Sequence, residues 1–442
     1  MADTGKIGAK NLGSSGVLYT DRRDFYIRPN VVKELWTDVT PFTTVIANQA
    51  TMSGMADPTF KMFEHRNPWV KQQFDIDSAV ASGDWGGSGD AAASNKKSQS
   101  INISNAVGIE LGANLAGLEL EIFDSNSSSK FRAVVTEATS SSMKVVALDN
   151  VTSSAFANSD YAMVIGSAFG EGTLSPTAWS DDLKVVFNQC QIFKTPVEIT
   201  GTLLQASLRG VSKELGRLRD MKSQEHKIQK ERAFLFGANP QGTGHADNGA
   251  FASLEALTDK DGNALRTTMG LIPALSKHGV SSSSSYEQNV FASSDIETYS
   301  KFVDSMEKIF QYVPTSGMKR AFVGAGALGH WSKMSGASGF AGDSGWGVDI
   351  GDMKRDSLGF NYRTLETPHG MLQLIPTPSL RGPYNKHMVI VNDENLFHAQ
   401  YRAPKFEASI QANDYDGVKD QYVSDEGIGI TLMESHALMV TP

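Results

Sequence analysis

The run Gly324-Ala325-Gly326-Ala327-Leu328-Gly329 has the glycine spacing that lets a backbone close on a pyrophosphate, and it follows the strand-like Ala321-Phe322-Val323. Dinucleotide chemistry also needs a full helix after the glycines and a second parallel strand ending in an acid about 20 positions on. Here His330–Met334 leads into Gly336, Gly339, Gly342, Gly345 and Gly347, a density that predicts no sustained helix. Asp349 has the spacing but no strand behind it. A nucleotide-binding enzyme built on Gly324–Gly329 is therefore carried as a lesser alternative.

Two acidic clusters, Asp259-Lys260-Asp261-Gly262 and Asp414-Tyr415-Asp416-Gly417, resemble fragments of a calcium loop. Their twelve-residue frames begin at Leu257 or Ala412 and end at Thr268 or Val423, which supply no ligands, so both read as turns. Ser305-Met306-Glu307-Lys308 has the SxxK spelling but falls mid-helix without companion motifs. The nine histidines form no HExxH and no helical i, i+4 pair, and Cys190 is the single cysteine. Neither a metal site nor an internal disulfide is expected, and Cys190 reads as a small packing residue. No catalytic, cofactor-binding or metal residues are assigned: the reading is that of a protein that is not an enzyme.

The elements around these residues suggest why. A chain of 442 residues exceeds one ordinary core, so two or three packed units are expected. No apolar run of about 18 residues spans a membrane and no signal-peptide layout opens the chain, so synthesis in a cytoplasm without secretion is expected. A net charge of −9 argues against wholesale wrapping of nucleic acid, though not against a local basic face. Forty-one glycines and long Ser/Gly/Ala stretches point to loops and arms that order against neighbours.

Along the chain, Asn30–Trp36 reads as a short helix, and Pro41, preceded by Thr40, opens another that carries Phe42, Val45 and Ile46. Residues 59–64 nearly alternate and read as a half-exposed strand, followed by a flexible polar stretch to Ser100. Residues 101–166 read as a compact all-β unit with strands near Gly117–Phe123, Phe131–Ala138, Met143–Leu148 and Tyr161–Ile165. The strongest helical pattern has Leu204, Leu208, Val211, Leu215 and Leu218 at spacings of four and three. It predicts a rod over 202–236, about 50 Å long at 1.5 Å per residue. A second helix is expected from Ser294 to Val313, with Ser294 and Glu297 as its capping box. Strands are expected at Arg320–Val323, Gly370–Pro376 and His387–Asn392, with extended, alternating segments from Phe397 to Ser409 and from Gly427 to Val440.

The long helix is basic on its exposed faces, with Arg209, Lys213, Arg217 and Arg219 beside Asp220. Such a run is either a solvated face or one that meets phosphates non-specifically. Arg217, Arg219 and Asp220 serve equally as candidate inter-subunit ion pairs.

The stretch Asn188-Gln189-Cys190-Gln191-Ile192-Phe193-Lys194-Thr195-Pro196-Val197-Glu198-Ile199-Thr200-Gly201-Thr202 is similar to the strand entering the spine helix of tailed-bacteriophage major capsid proteins, those of the Hong Kong 97-type fold. Glu214–Glu231 looks like that helix, and the segment from Val107-Gly108-Ile109-Glu110 through Gly166 resembles a β insertion some members carry. The resemblance implies an α+β fold with an N-terminal arm at 1–56 and an extended loop at 57–200 carrying an all-β, barrel-like insert at about 101–166. A spine helix at 202–236 follows, then a peripheral domain from 237–318 with 396–442, and an axial domain at 319–395. It further implies hexamers and pentamers of one chain forming an icosahedral shell around double-stranded DNA. Partners would be a portal and a scaffold or decoration protein, with non-specific DNA contact and no membrane. No separate N-terminal scaffolding domain is recognised, so a separate scaffold is expected. The location would be the virion capsid, after synthesis in the host cytoplasm. An encapsulin-type compartment shell is the alternative within the fold, and residues 101–166 count against it.

Overall fold

The computed structural model describes residues 40–49, 51–65, 73–77, 98–107, 115–123, 130–148, 161–175, 183–206, 213–239, 258–281, 288–312, 317–336, 354–355 and 361–442. The helix expected at Asn30–Trp36 lies outside them. Helix α1 is Pro41–Gln49, followed by strands β1 (Thr51–Ser53), β2 (Thr59–Glu64), β3 (Gln73–Ile76) and β4 (Ser98–Val107). Then come β5 (Leu118–Phe123), β6 (Lys130–Ala138), β7 (Ser142–Ala147), β8 (Tyr161–Ser167), β9 (Lys184–Gln189) and β10 (Gln191–Thr200). Helices α2 (Gly201–Gln205), α3 (Glu214–Phe236) and α4 (Leu271–His278) precede β11 (Val290–Phe291) and α5 (Tyr299–Ile309). The rest is β12 (Met318–Val323), α6 (Ala325–Gly336), β13 (Lys354–Arg355), β14 (Asn361–Thr367) and β15 (Gly370–Pro376). It closes with β16 (His387–Val391), β17 (Leu396–Glu407), β18 (Gly417–Ile430) and β19 (Ala437–Val440).

The chain divides into two compact units, one of residues 1–64 and 184–442 and one of residues 65–183. In the first, a seven-stranded sheet has the order β11-β19-β16-β12-β15-β14-β13. Its central strands are apolar on both faces because both faces are covered. Along β16, Val389 and Val391 join one core while Met388 and Ile390 join the other. On β12, Phe322 belongs to the first core and Ala321 and Val323 to the second. The first core also takes Phe42 of α1, Phe234 and Leu235 of α3, and Leu271 and Leu275 of α4. The second takes Phe302 and Met306 of α5 and Trp331 of α6. A four-stranded sheet, β1-β17-β18-β10, and the ribbon β2-β9 complete the unit. Pro41 opens α1 as expected, and Phe42, Val45 and Ile46 are its buried face.

The second unit contains a closed barrel in the order β3-β4-β7-β6-β5-β8. Alternate residues fill its interior: Phe131, Ala133 and Val135 on β6 and Met143, Val145 and Ala147 on β7 point inward. Closure leaves none of the six described barrel strands as an edge. The all-β unit was expected from residue 101, but its first strand begins at Gln73, across a segment that composition marks only as polar.

Two helices differ from expectation. The rod over 202–236 is not continuous. Ala206 (ψ 134°) and Lys213 (ψ 86°) are non-helical, leaving α2 and the 23-residue α3. Leu204, the first residue of the expected stripe, is exposed, and Leu208 and Val211 lie outside the described residues. The buried face of α3 is instead His226, Lys230, Glu231, Phe234 and Leu235. Likewise, α5 starts at Tyr299 and is capped by Thr298, whose Oγ1 accepts from Lys301 N, and not by a Ser294–Glu297 box. Residues 293–296 form a separate 3-10 turn, where Asp295 accepts from Ala292 N.

Candidate functional site

The glycine loop is occupied by the protein itself. β12 feeds into α6, so the helix judged unsustainable does form, running from Ala325 to Gly336. Its first amides are already bonded: Gly326 N donates to Asn385 Oδ1 at 2.9 Å and Ala327 N to Asn385 O at 3.1 Å. A Cβ on Gly324 would lie 2.3 Å from Asn385 O, and one on Gly326 would lie 2.7 Å from Asn385 Nδ2. The glycines are there to let the 384–385 turn approach, and the donors a pyrophosphate needs are taken. Asn385→Ala should cost about 1 kcal/mol in denaturant unfolding by stranding the part-buried Gly326 amide, without creating nucleotide affinity measurable by calorimetry.

The other motifs resolve as structure. Asp259 accepts from Asp261 N at 2.9 Å and from Asn263 N at 2.8 Å, closing a turn with Gly262 at φ +81°. Asp416 sits in the connection from β17 to β18, where its carbonyl accepts from Gly201 N at 3.2 Å. Ser305 Oγ donates to Lys301 O at 2.8 Å, while Lys308 Nζ donates to Gln288 Oε1 at 3.0 Å. Cys190 is fully buried and its thiol is pushed up to about 12 by burial. Among the described residues no group of His, Cys, Asp and Glu could hold a metal, and no helix is long and apolar enough to cross a membrane.

Of the basic-helix residues, Arg209 lies outside the described residues, and Lys213 and Asp220 are exposed. Arg217 is paired with Glu214 one turn earlier. Arg219 reaches Asp420 at 2.7 Å, its guanidinium 5.2 Å from the Phe406 ring centre. Both arginines are thus engaged within the chain.

The arginine opens a polar ladder between α3 and β18 that pattern reading did not find. His226 Nδ1 lies 3.0 Å from Thr195 Oγ1 and its Nε2 3.0 Å from Ser424 Oγ. Lys230 Nζ meets Glu426 at 3.2 Å, and His398 Nε2 meets the same carboxylate at 3.0 Å. On the neighbouring position Asp425 takes Arg266 at 3.1 Å. Asp420, Ser424, Asp425 and Glu426 are all essentially inaccessible. Burial and the charge of Lys230 hold His226 below its ordinary value, so it is neutral at pH 7. Burial pulls Glu426 upward, but the His398 hydrogen bond and Lys230 outweigh it and leave the group below the usual range. Asp425 is raised by burial despite Arg266 and Arg402. Such a ladder fixes one register of helix on sheet; it has no access for a substrate.

What remains open to a partner is surface. On the barrel exterior, Tyr161, Met163 and Ile165 occupy successive outward positions of β8 and are 41–48% exposed. Phe123 of β5 stacks on Tyr161 at 4.7 Å and widens the band. Separately, β17 exposes every residue from Tyr401 to Phe406. The β8 row is apolar, whereas the β17 segment sets Arg402 and Lys405 among Tyr401, Ala403, Pro404 and Phe406.

The sequence matches the family model described as SU10 major capsid protein over residues 23–440. No curated protein matches it. Among solved structures, the capsid of a native GTA particle is 8% identical, covering 97% of this chain and 99% of that one, with a TM-score of 0.45. The capsid of Cyanophage P-SCSP1u is 9% identical, covering 62% and 80%, with a TM-score of 0.33. An encapsulin from Synechococcus elongatus PCC 7942 is 6% identical, covering 59% and 76%, with a TM-score of 0.35.

Proposed function

Since the chain belongs to the SU10 major capsid protein family and is therefore a capsid shell protein of phage type, we propose that it works as a Hong Kong 97-type subunit. The observation that carries this is the family match, which spans nearly the whole chain, both units included. In this reading residues 1–56 are an arm, of which α1 and β1 are seated on the chain's own larger unit, and 57–200 an extended loop with the barrel as its insert. Helix α3, Glu214–Phe236, is the spine. Residues 237–318 with 396–442 form the peripheral domain and 319–395 the axial domain. Hexamers and pentamers then close an icosahedral shell around double-stranded DNA. A portal and a scaffold or decoration protein complete it, and the place of action is the virion capsid. The chain does this without catalysis.

The exposed cations Lys227 and Arg232 of α3, with Lys213 just before it and Arg209, suit non-specific contact with packaged phosphates. Arg217, Arg219 and Asp220 stay in the proposal as residues near a subunit boundary, the arginines now through their internal pairs. Negative-stain microscopy of the protein, alone and with a scaffold, tests the reading. Closed shells, tubes or hexamer sheets are expected; a monomer under both conditions would overturn it.

The band Tyr161-Met163-Ile165 is assigned to contact between neighbouring subunits. Met163→Glu with Ile165→Glu places two charges on the outer wall, where barrel folding tolerates them. Circular dichroism should be unchanged while the yield of closed particles falls at least about tenfold, as expected when unpaired charge is forced into an apolar contact. Unchanged yield and heat resistance of particles would remove the band from the interface.

A further inference from the structure

Among the described residues, Ser409 and Leu432 are the non-glycine positions with positive φ, at 57° and 46°. Each has its backbone amide taken by a buried carboxylate. Ser409 N donates to Asp420 Oδ1 at 2.8 Å, and Leu432 N donates to Glu64 Oε1 at 2.7 Å. The left-handed region crowds a β-carbon and costs an ordinary residue about tenfold in population. A bulky leucine there is the stronger outlier, and it persists only where its surroundings over-determine it.

Leu432 lies in such a place. From β16 to β17 and from β18 to β19 the chain passes between the seven-stranded and four-stranded sheets, through residues 392–395 and 431–436. These two connectors are bonded to each other. Thr431 N and Oγ1 both donate to Asn395 O at 3.0 Å, and Asn395 Nδ2 donates to Ser435 Oγ at 2.8 Å. Ser435 N closes the turn onto Leu432 O at 2.8 Å, and Lys319 Nζ, from β12, donates to Ser435 O at 2.9 Å. The amide of the strained residue goes to a third element. Glu64, 3% exposed, ends β2 and is the last residue of the larger unit before the barrel unit begins.

We propose that the 431–436 turn is a strained joint between the two sheets, and that Glu64 couples its setting to the ribbon β2-β9. With the carboxylate in place, Leu432 stays left-handed and the chain enters β19 in its present direction. Displacing the ribbon withdraws the acceptor, and Leu432 relaxes to an ordinary conformation that shifts the turn and the connector bonded to it. The joint stands on the geometry of one chain. Only its use, in passing a load on the ribbon to the seven-stranded sheet as subunits pack, rests on the shell reading.

Two measurements on the full-length protein test this. Leu432→Ala and Leu432→Gly lose nearly the same contacts, but alanine keeps the β-carbon. At an ordinary position glycine is the less stable by about two- to fivefold. Here denaturant unfolding should invert the order, with glycine the more stable by about threefold. Alanine equal to or better than glycine overturns the strain, and with it the joint. Hydrogen exchange in peptides covering 392–398 and 431–440 reads the coupling. Glu64→Gln trades a charge-assisted bond for a neutral one, so both connectors should exchange about threefold faster; Glu64→Ala removes the acceptor and should reach at least about tenfold. In the Leu432→Gly background each effect should shrink to under about a third, because glycine holds the left-handed setting unaided. Equal effects in both backgrounds, or effects confined to 59–64, overturn the coupling; Glu64→Gln carries the test if Glu64→Ala does not fold. Particle formation enters neither readout, so the joint and the shell reading can fail separately.

Discussion

Glu426→Ala should destabilise the larger unit by about 3–5 kcal/mol, because it strands a buried cation. Lys230 is 10% exposed at its side chain and meets Glu426 at 3.2 Å. His398 relies on the same carboxylate for its Nε2 contact. Removing the acceptor leaves an ammonium under a helix with water excluded, a larger loss than any exposed pair could cause. Denaturant unfolding of dissociated subunits gives the number. The double replacement Lys230→Met with Glu426→Leu should recover most of the loss, because two apolar groups leave no charge to solvate. A single-mutant loss below about 1 kcal/mol would mean that water reaches the ladder freely.

Phe322→Ala is the second large effect, again about 3–5 kcal/mol. Phe322 is fully buried on the central strand β12 and meets Phe42 edge-on, ring centres 4.9 Å apart at 88°. Truncation opens a cavity in the first core and removes the aromatic partner of α1, a pair worth about 0.5–1.5 kcal/mol beyond its area. A double-mutant cycle with Phe42→Ala should return a coupling of that size. Strict additivity would show that α1 and the sheet do not support each other.

What could be read from the sequence was whatever one period settles. The alternation of Phe131-Arg132-Ala133-Val134-Val135 gives a strand with an inside and an outside, and the barrel bears it out residue by residue. The unbroken apolar run Met388–Val391 suits a strand covered on both faces, and it has two cores to feed. Segments whose environment is set elsewhere in the chain were not legible. Asp420, Ser424, Asp425 and Glu426 spell an exposed strand, and only Arg219, His226, Lys230 and Arg266, roughly 160 to 200 positions earlier, make them interior.

The same limit explains the helix and the glycine loop. A leucine stripe from Leu204 to Leu218 suggests which side of the helix is buried, yet the side that packs carries His226, Lys230 and Glu231. Gly324 and Gly326 look like a ligand cradle until Asn385, about sixty residues on, is seen to fill it. Glu231 is one acid among many on a charged helix. Nothing local separates it from Glu225, which sits at the surface paired to Lys222.

The ribbon of β2 and β9 has a kinetic consequence. Glu64 pairs with Lys184, so the strands that bound the barrel segment lie side by side although 119 residues separate them in the chain. Zipping such a ribbon from an unfolded polymer means closing a long loop before any contact repays the lost entropy. A barrel that collapses first brings its own end strands β3 and β8 together, as Gln73 pairs with Met163, and so shortens that loop. The newly made chain would then acquire its small unit before its large one, and a slow phase in refolding would report the closing of β2 on β9. Mutations that unravel the barrel would delay that phase even though they touch no residue of the larger unit.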